Sequence, residues 1–174
     1  LITCVTEHHA ILDTAKHLED NGCKVTYLSV DEYGSVDLDE LKNSITDETV
    51  LISIMFANNE IGTIQNIEEI GKIAHEYDVL FHTDAAQALG HIPIDVKKMN
   101  IDLMSMSSHK IYGPKGIGAL YVRSIMPRVK INSIVYGGGQ ERNIRSGTLN
   151  VPGIVGFAKA VEIAIDDMDA ENKK

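Results

Sequence analysis

A lysine at the junction between an apolar run and a glycine-rich loop is the first residue in this sequence whose setting suggests chemistry. Lys110 follows the strand-like segment Leu103–Ser107 and precedes the glycines of Tyr112–Gly118. Partial burial of an ammonium group lowers its pKa, and the amine then becomes nucleophilic enough to hold an aldehyde as a Schiff base. Ser107 and His109 stand beside it and are able to hold a phosphate. An aldehyde and a phosphate together predict pyridoxal 5'-phosphate as cofactor; the alternative is a surface loop with a solvated lysine.

An aspartate after another buried strand supports the same interpretation. Asp84 ends the apolar segment Val79–Thr83 and precedes two alanines. A carboxylate in that position is costly unless a cation or several donors meet it. The protonated pyridine nitrogen of the cofactor is such a cation, although an aspartate that merely caps a following helix is the alternative. Gln87 lies one helical turn further on, within reach of the ring's phenolic oxygen.

Two further polar residues follow predicted strands, and each has an ordinary alternative. His8 stands where a strand gives way to a helix, so it either stacks on a ring and moves protons or only caps the helix. Asn59 lies in a polar loop, where asparagine is also common for conformational reasons. The spacing of the histidines and Asp84 matches no compact metal-ligand motif, so we predict no metal site.

The stretch Tyr136–Leu149 combines three consecutive glycines with two arginines and Thr148. Such a loop is rich in anion donors, but it lacks the residue order of a nucleotide-binding P-loop. A phosphate contact or a contact between subunits is therefore favoured over a flexible surface loop.

Predicted strands and helices alternate along the chain, and this order is typical of an α/β fold. We predict three layers, with a mainly parallel sheet covered by helices on both faces. The carboxyl ends of parallel strands meet at one edge of the sheet, where ligands bind in open α/β folds, so the polar residues above are expected to gather there. Strands are predicted at Leu1–Thr6, Lys24–Val30, Val50–Phe56, Val79–Thr83, Leu103–Ser107 and Gly118–Val122, and helices after His8 and at Leu38–Ile45, Ile67–Tyr77 and Val151–Met168. Asp37 and Glu40 are expected to form a capping box at the start of the second helix.

Length and composition place limits on the function. The 174 residues are predicted to form a single domain, 1–174, and a formal net charge of −9 without a basic stripe argues against nucleic-acid binding. No apolar run has the length of a membrane span, so we expect a cytoplasmic protein, or a mitochondrial-matrix protein if eukaryotic. Cys4 and Cys23 lack a paired motif and are expected to be reduced. Because Leu1 enters a strand with no lead-in, we expect a piece of a longer protein.

With these residues identified, the sequence resembles the cysteine desulfurase family, the NifS-like enzymes of the class-V aminotransferase group. The resemblance rests on TEHHAILD, FANNEIGT, HTDAAQALG, SMSSHKIYGPKGIGALYVR and GGGQERNIRSGT, which occur in the family's order and at about its spacing. It covers the whole chain. It implies the large domain of a fold type I pyridoxal-phosphate enzyme, which removes sulfur from L-cysteine to give L-alanine and an enzyme persulfide for iron–sulfur cluster assembly.

The resemblance also implies a role for each candidate residue. Lys110 and His8 would be catalytic, the first as the lysine that binds the cofactor's aldehyde and the second as a proton-transfer group over the ring. Asp84 would pair with the pyridinium nitrogen and Gln87 would bond the phenolic oxygen, while Asn59 would lie between that oxygen and the substrate carboxylate. Ser107 and His109 would bind the phosphate. Thr148 would bind the phosphate of the neighbouring subunit in a homodimer.

The sequence departs from the family pattern at three functional positions, since it lacks the family's nucleophilic cysteine, its upstream phosphate-binding threonine and its downstream substrate-binding arginine. The family's nucleophilic cysteine lies on a loop well downstream of the glycine-rich loop, and neither Cys4 nor Cys23 occupies its position. We therefore expect this chain alone to be inactive, with L-cysteine, an iron–sulfur scaffold and sulfur-acceptor proteins as partners of the parent protein. A selenocysteine lyase, another fold type I enzyme and a non-catalytic cofactor-binding or assembly module remain alternatives.

Overall fold

A single mixed sheet of six strands forms the centre of the molecule. The computed structural model describes residues 1–125 and 129–173. The strand order is β2-β1-β3-β4-β5-β6, in which all neighbours are parallel except the antiparallel pair β5 and β6. The strands are β1 (Ile2–Cys4), β2 (Thr26–Leu28), β3 (Leu51–Ser53), β4 (Leu80–Asp84), β5 (Leu103–Ser107) and β6 (Gly118–Val122). The predicted α/β fold with a mainly parallel sheet is confirmed.

Four α-helices connect or cover the strands of the described chain, and the strand order fixes where the connecting helices lie. The helices are α1 (His9–Asp20), α2 (Leu38–Ser44), α3 (Ile67–Glu76) and α4 (Val151–Glu171). The connection from β1 to β2 runs in one direction along the sheet, and that from β3 to β4 runs in the other. Because parallel crossovers are right-handed, α1 and α3 lie on opposite faces. This reversal creates a crevice outside the carboxyl ends of β1 and β3, the usual place for a ligand site.

The first three strands are shorter than their apolar runs predict. In β3 the regular pairing stops at Ser53, but the backbone amides of Ile54 and Phe56 still donate to the carbonyl oxygens of His82 and Asp84, at 3.1 and 2.9 Å. The segment therefore remains part of the sheet beyond the assigned strand. Phe81, Ile52 and Ile54 are fully buried within the core around it.

The predicted capping box of α2 is only half formed. Asp37 caps the helix, since its side chain accepts from the amides of Asp39 and Glu40 at 2.7 and 3.2 Å. The Glu40 carboxylate, however, accepts from the amide and hydroxyl of Ser29 at the end of β2, instead of turning back to Asp37. The prediction was wrong for Glu40 because a partner from a neighbouring strand, distant in sequence, competes with the local one.

Helix α4 packs against the loop that carries Lys110, and small residues allow the close approach. A Cβ at Gly156 would lie 2.6 Å from Cγ of Pro114, and a Cβ at Gly113 would lie 3.0 Å from the Cβ of Ala160. Larger side chains would therefore push the loop away from the helix. The packing fixes the backbone of the lysine loop relative to the sheet.

The amino edge of the sheet holds a buried ionic cluster. Asp102, which precedes β5, is fully buried, and its Oδ2 accepts from the Phe81 amide and pairs with His75 Nε2, both at 2.9 Å. Nε of Arg123 lies 3.0 Å from Asp102 Oδ1, an ion pair without hydrogen-bond geometry because the guanidinium donates to the carbonyl oxygen of Ile101. This cluster joins β4, β5, α3 and the end of β6 on the side away from the crevice.

Candidate functional site

The ends of four adjacent strands, β1, β3, β4 and β5, surround a cleft of about 370 Å³ at the carboxyl edge of the sheet. This volume lies within the range of roughly 300 to 1,000 Å³ that is typical of small-molecule sites. Every predicted site residue except Thr148 lines this cleft: His8, Asn59, Asp84, Gln87, Ser107, His109 and Lys110. The sequence argument that strand ends gather these side chains is therefore correct as to position, while their chemical roles stay predictions.

Asp84 ends β4 and is half-buried in the wall of the cleft. Its Oδ1 accepts the backbone N–H of Ala86 at 2.9 Å, which forms a turn of the kind that aspartate often closes. No regular helix begins there, since residues 86–91 form turns. The carboxylate thus fixes its own loop and still faces the cleft, so the two alternatives from the sequence are not exclusive.

Lys110 lies on a 3₁₀ helix, Ser108–Ile111, that directly follows β5. The following residue, Tyr112, has a left-handed φ of 61° and ends this short helix. Lys110 is exposed, so the expectation that burial would desolvate its ammonium group was wrong for the described chain. The reason is geometric, because the 3₁₀ turn carries the lysine beyond the sheet edge to the open side of the cleft.

His8 combines the two functions that the sequence left open. Its Nδ1 accepts the backbone N–H of Ala10 at 3.1 Å and so caps α1, and the residue also lines the cleft. A nitrogen that accepts a hydrogen bond carries no proton, so neutral His8 carries its proton on Nε2. The capping bond therefore sets the tautomer of a histidine in the cleft.

Ser107 and His109 form a pair at the end of β5. The Ser107 hydroxyl and His109 Nδ1 are 2.8 Å apart, and both residues line the cleft. A hydroxyl and an imidazole held together in this way are suitable donors for an anionic group. The pair lies next to Lys110 in the cleft, and its phosphate-binding role stays a prediction.

Asn58 and Asn59 are adjacent but have different surroundings: the first makes the hydrogen bonds of the loop, and the second faces the cleft. Asn58 holds the loop, since its Oδ1 accepts from the amides of Glu60 and Ile61 and its Nδ2 donates to the carbonyl oxygen of Thr6 at 2.8 Å. Asn59 is exposed and lines the cleft. The conformational asparagine is therefore the first of the pair, and the second is available to a ligand.

Thr148 lies outside the cleft, on an exposed loop before α4. Nearby, the Gly147 amide donates to Gln140 Oε1 at 2.9 Å, and the Arg145 guanidinium donates to the Gly147 carbonyl oxygen at 3.1 Å. The loop thus has internal hydrogen bonds. The predicted contact with a neighbouring subunit's phosphate stays a prediction.

Glu7, next to His8, is a buried carboxyl group to which sequence reasoning assigned no separate role. Glu7 is 5% exposed, and its Oε1 accepts the Met55 amide at 2.6 Å and the Cys4 thiol at 3.3 Å. Burial raises the pKa of Glu7 to about 7; the two hydrogen bonds oppose this shift, and the Asp84 carboxylate adds to it. The sequence offers little signal, because a glutamate before a helix usually lies in water.

A second group that the sequence did not identify crosses the sheet below the cleft. His82 on β4 lies between two serine hydroxyls, with Nδ1 2.8 Å from Ser53 Oγ and Nε2 2.9 Å from Ser105 Oγ. Burial lowers the pKa of His82, and the nearby Asp84 carboxylate opposes the shift only in part. The signal in the sequence is a polar residue inside each of three otherwise apolar strands, and among these only the histidine has the chemistry of a common metal ligand. Within residues 1–125 and 129–173, no cluster of three or more histidine, cysteine or acidic side chains is arranged to hold a metal ion.

The groups that face the cleft fit pyridoxal 5'-phosphate. Lys110 offers an amine for an aldehyde, Asp84 a carboxylate for a ring nitrogen, and the pair of Ser107 and His109 offers donors for a phosphate. Apolar walls suited to a flat ring complete the cleft, and they come from Ala10, Met55, Ala57, Ala86 and Met106. The donors and the volume of the cleft are therefore compatible with this cofactor.

Comparison with known proteins decides the family. The family model described as "Aminotransferase class-V" matches residues 1–174. The chain belongs to the class-V aminotransferase family. It is 59% identical over 174 residues to "Cysteine desulfurase IscS" of Clostridium botulinum strain Hall, a match that covers 100% of this chain and 43% of the relative.

Solved structures of similar proteins show the same fold. A structure described as "NIFS-LIKE PROTEIN" superimposes with a TM-score of 0.93 at 47% identity, covering 97% of this chain and 46% of the other. A second, "SspA in complex with cysteine", has a TM-score of 0.89 at 48% identity, with 92% and 46% covered. The chain spans less than half the length of these relatives. The resemblance to NifS-like proteins that the motifs indicated is confirmed.

No helix in the described part of the chain combines the length and the apolar character needed to cross a membrane.

Proposed function

We propose that this chain forms the cofactor-binding part of a pyridoxal-phosphate-dependent cysteine desulfurase, which takes sulfur from L-cysteine and leaves L-alanine and an enzyme persulfide. The observation that carries the proposal is the convergence of Lys110, Asp84, His8 and the Ser107–His109 pair on one cleft of suitable size. The names of the similar proteins support the reaction, and the similar structure solved in complex with cysteine supports L-cysteine as substrate.

Each side chain has a proposed task that its position supports. Lys110 binds the cofactor's aldehyde and, with His8, moves protons at the substrate. Asp84 holds the ring nitrogen in its protonated form, and the cofactor, when bound, supplies the electron sink that stabilises negative charge on the substrate carbon. Two residues, Gln87 and Asn59, contact the phenolic side of the ring.

His8 is prepared for proton transfer by its own helix cap. Since Nδ1 is engaged by the Ala10 amide, Nε2 is the nitrogen that exchanges protons with a ligand in the cleft. The Ser107–His109 pair binds the phosphate, and Thr148 of a second subunit completes that site in a homodimer. Such tasks require positions fixed by the sheet, and the strand ends provide them.

The thiol that accepts sulfur is proposed to come from outside these 174 residues. Cys4 is buried, and burial together with the Glu7 carboxylate raises the pKa of its thiol to about 12, so it is not a thiolate at neutral pH. Cys23 is exposed but does not line the cleft. An iron–sulfur scaffold and other sulfur acceptors are the proposed partners, and the cytoplasm or the mitochondrial matrix is the proposed location.

A trapping experiment tests the cofactor assignment. Pyridoxal 5'-phosphate is added to the protein, the adduct is reduced with borohydride, and peptide mapping locates the label. We expect the label on Lys110 and its loss in Lys110→Ala. Lys115→Ala is the matched control, because Lys115 is exposed on the same loop but does not line the cleft. Labelling spread over surface lysines would contradict the proposal.

The reaction itself is tested on the full-length product of the gene that encodes these 174 residues. Sulfide and alanine are measured with L-cysteine, and selenide with L-selenocysteine. Release of selenide without sulfide would favour a selenocysteine lyase, and retention of cofactor without either product would favour a binding module.

A further inference from the structure

The chain of Ser53, His82 and Ser105 has one consistent arrangement of hydrogens. The three residues lie on the neighbouring strands β3, β4 and β5, and His82 contacts one serine hydroxyl through each ring nitrogen. Ser53 is 4% exposed and His82 is 9% exposed. The lowered pKa of His82 fits a neutral ring. A neutral imidazole has one donor nitrogen and one acceptor nitrogen, so its two contacts have opposite directions.

Burial decides which direction applies. Across residues 1–125 and 129–173, the only partner of the Ser53 hydroxyl is Nδ1 of His82. If Nδ1 donated, the Ser53 hydrogen would be buried without an acceptor, which is costly. Ser53 therefore donates to Nδ1, and the proton of His82 sits on Nε2. That N–H donates to the oxygen of Ser105.

This arrangement leaves the Ser105 hydrogen for another acceptor. Ser105 lines the cleft, whereas Ser53 does not, and its register partner on β4 is Asp84, which lines the cleft too. Register partners on adjacent parallel strands project from the same face of the sheet. The Ser105 hydrogen is thus directed to the space beside Asp84.

We propose that Ser105 is a positioning hydrogen-bond donor of the cleft, oriented by Ser53 through the Nε2–H tautomer of His82, for an acceptor atom of the molecule bound beside Asp84. The tautomer follows from the packing of the strands alone. The identity of the acceptor as part of pyridoxal 5'-phosphate or its bound amino acid rests on the proposed function.

Nitrogen-15 NMR of the protein without cofactor tests the tautomer directly. We expect two-bond proton–nitrogen correlations to show His82 protonated on Nε2 only at pH 7, with the signal assigned by its loss in His82→Gln. In Ser53→Ala, Nδ1 loses its hydrogen-bond donor, so the proton should stay on Nε2 while the nitrogen-15 signal of Nδ1 moves downfield, as for an acceptor nitrogen without a hydrogen bond. Protonation of His82 on Nδ1 in the unsubstituted protein would overturn the proposal, whatever the cofactor does.

Cofactor affinity tests the role of the hydroxyl. Loss of one hydrogen bond in Ser105→Ala should weaken pyridoxal 5'-phosphate binding about three- to tenfold, measured by absorbance titration. Ser105→Thr keeps the hydroxyl and should retain affinity. Thr83→Val is the control, because Thr83 lies between His82 and Asp84 on β4 but faces the opposite side, and its buried hydroxyl has no partner in the described chain.

The two measurements separate the possible failures. Unchanged affinity in Ser105→Ala, or an equal loss in Thr83→Val, would overturn the role of Ser105. If the unsubstituted protein does not bind pyridoxal 5'-phosphate at all, the proposed function fails, and the tautomer of His82 then decides the inference alone.

Discussion

The two edges of the sheet both contain buried carboxyl groups, but the groups have different surroundings. At the amino edge, Asp102 meets a guanidinium, an imidazole and a backbone amide within 3.0 Å. At the carboxyl edge, Glu7 meets a backbone amide and a thiol but no cation in the described chain. One oxygen of each carboxylate, Glu7 Oε2 and Asp102 Oδ1, lacks a hydrogen-bond partner there, but only Asp102 Oδ1 faces a cation. Asp84 receives one amide and faces the cleft.

This difference in partners indicates that the amino-edge carboxylate stabilises the fold, whereas the carboxyl-edge groups belong to a functional site. A buried charge that finds its partners within the chain stabilises the fold, whereas removal of its partners is strongly destabilising. Carboxyl groups with incomplete partners cost stability, and such groups concentrate at functional sites. We therefore expect substitutions at the amino edge to lower the free energy of unfolding. At the carboxyl edge, replacement of Asp84 should change ligand binding, and removal of the Glu7 charge should raise stability.

The largest effect is expected for Asp102→Ala. The change leaves the Arg123 guanidinium without its buried counter-ion, and breaking such a pair costs about 3 to 5 kcal/mol. Urea denaturation measures the loss. Asp84→Ala is the matched change at the other edge. It should lower stability by about 1 kcal/mol or less, because it removes only the hydrogen bond from the Ala86 amide that closes a turn. The same variant should lose cofactor binding. Equal losses of stability in the two variants would remove the distinction between the edges.

The raised pKa of Glu7, at the carboxyl edge, should make the stability of the protein depend on pH. Its pKa is raised from 4.5 to about 7 in the folded protein. Between these values the unfolded chain loses the proton while the folded protein keeps it, so Glu7 reduces stability as pH rises from about 4.5 to 7. A shift of this size corresponds to about 3 kcal/mol above pH 7.

Glu7→Gln tests this slope. Glutamine mimics the protonated acid and can still accept the Met55 amide, so the variant should match the unsubstituted protein near pH 4.5 and exceed it above pH 7. Unfolding free energies at pH 5 and pH 8 give the comparison, with Glu32→Gln as the control because Glu32 is exposed. An identical pH slope in both proteins would show that Glu7 ionises normally.

The sequence predicted the features of the site that depend on strand ends. The bounds of β5 and β6 match their predicted ranges, and the four polar segments after β1, β3, β4 and β5 meet at one edge as expected. These predictions succeeded because apolar runs define buried strands and the parallel topology then fixes which ends meet. Neither step requires knowledge of side-chain contacts.

The missed features depend on partners that are distant in sequence. Glu7 is separated from Met55 by 48 residues, and Ser53 from His82 by 29 residues. Glu40 follows the same pattern, since Ser29 displaces the predicted local contact. The antiparallel direction of β6 and the exposure of Lys110 likewise follow from the path of the loop after β5, which composition does not encode.

The smallest expected effect concerns His75, the outermost member of the amino-edge cluster. Its side chain is 25% exposed and lies 2.9 Å from Asp102 Oδ2, an oxygen that also accepts the Phe81 amide. Because this oxygen keeps one donor in His75→Ala, the variant should lose only about 1 kcal/mol of unfolding free energy. His17→Ala, an exposed histidine on α1, is the control. A loss as large as that of Asp102→Ala would mean that the imidazole, and not the Arg123 guanidinium, is the main partner of the buried carboxylate.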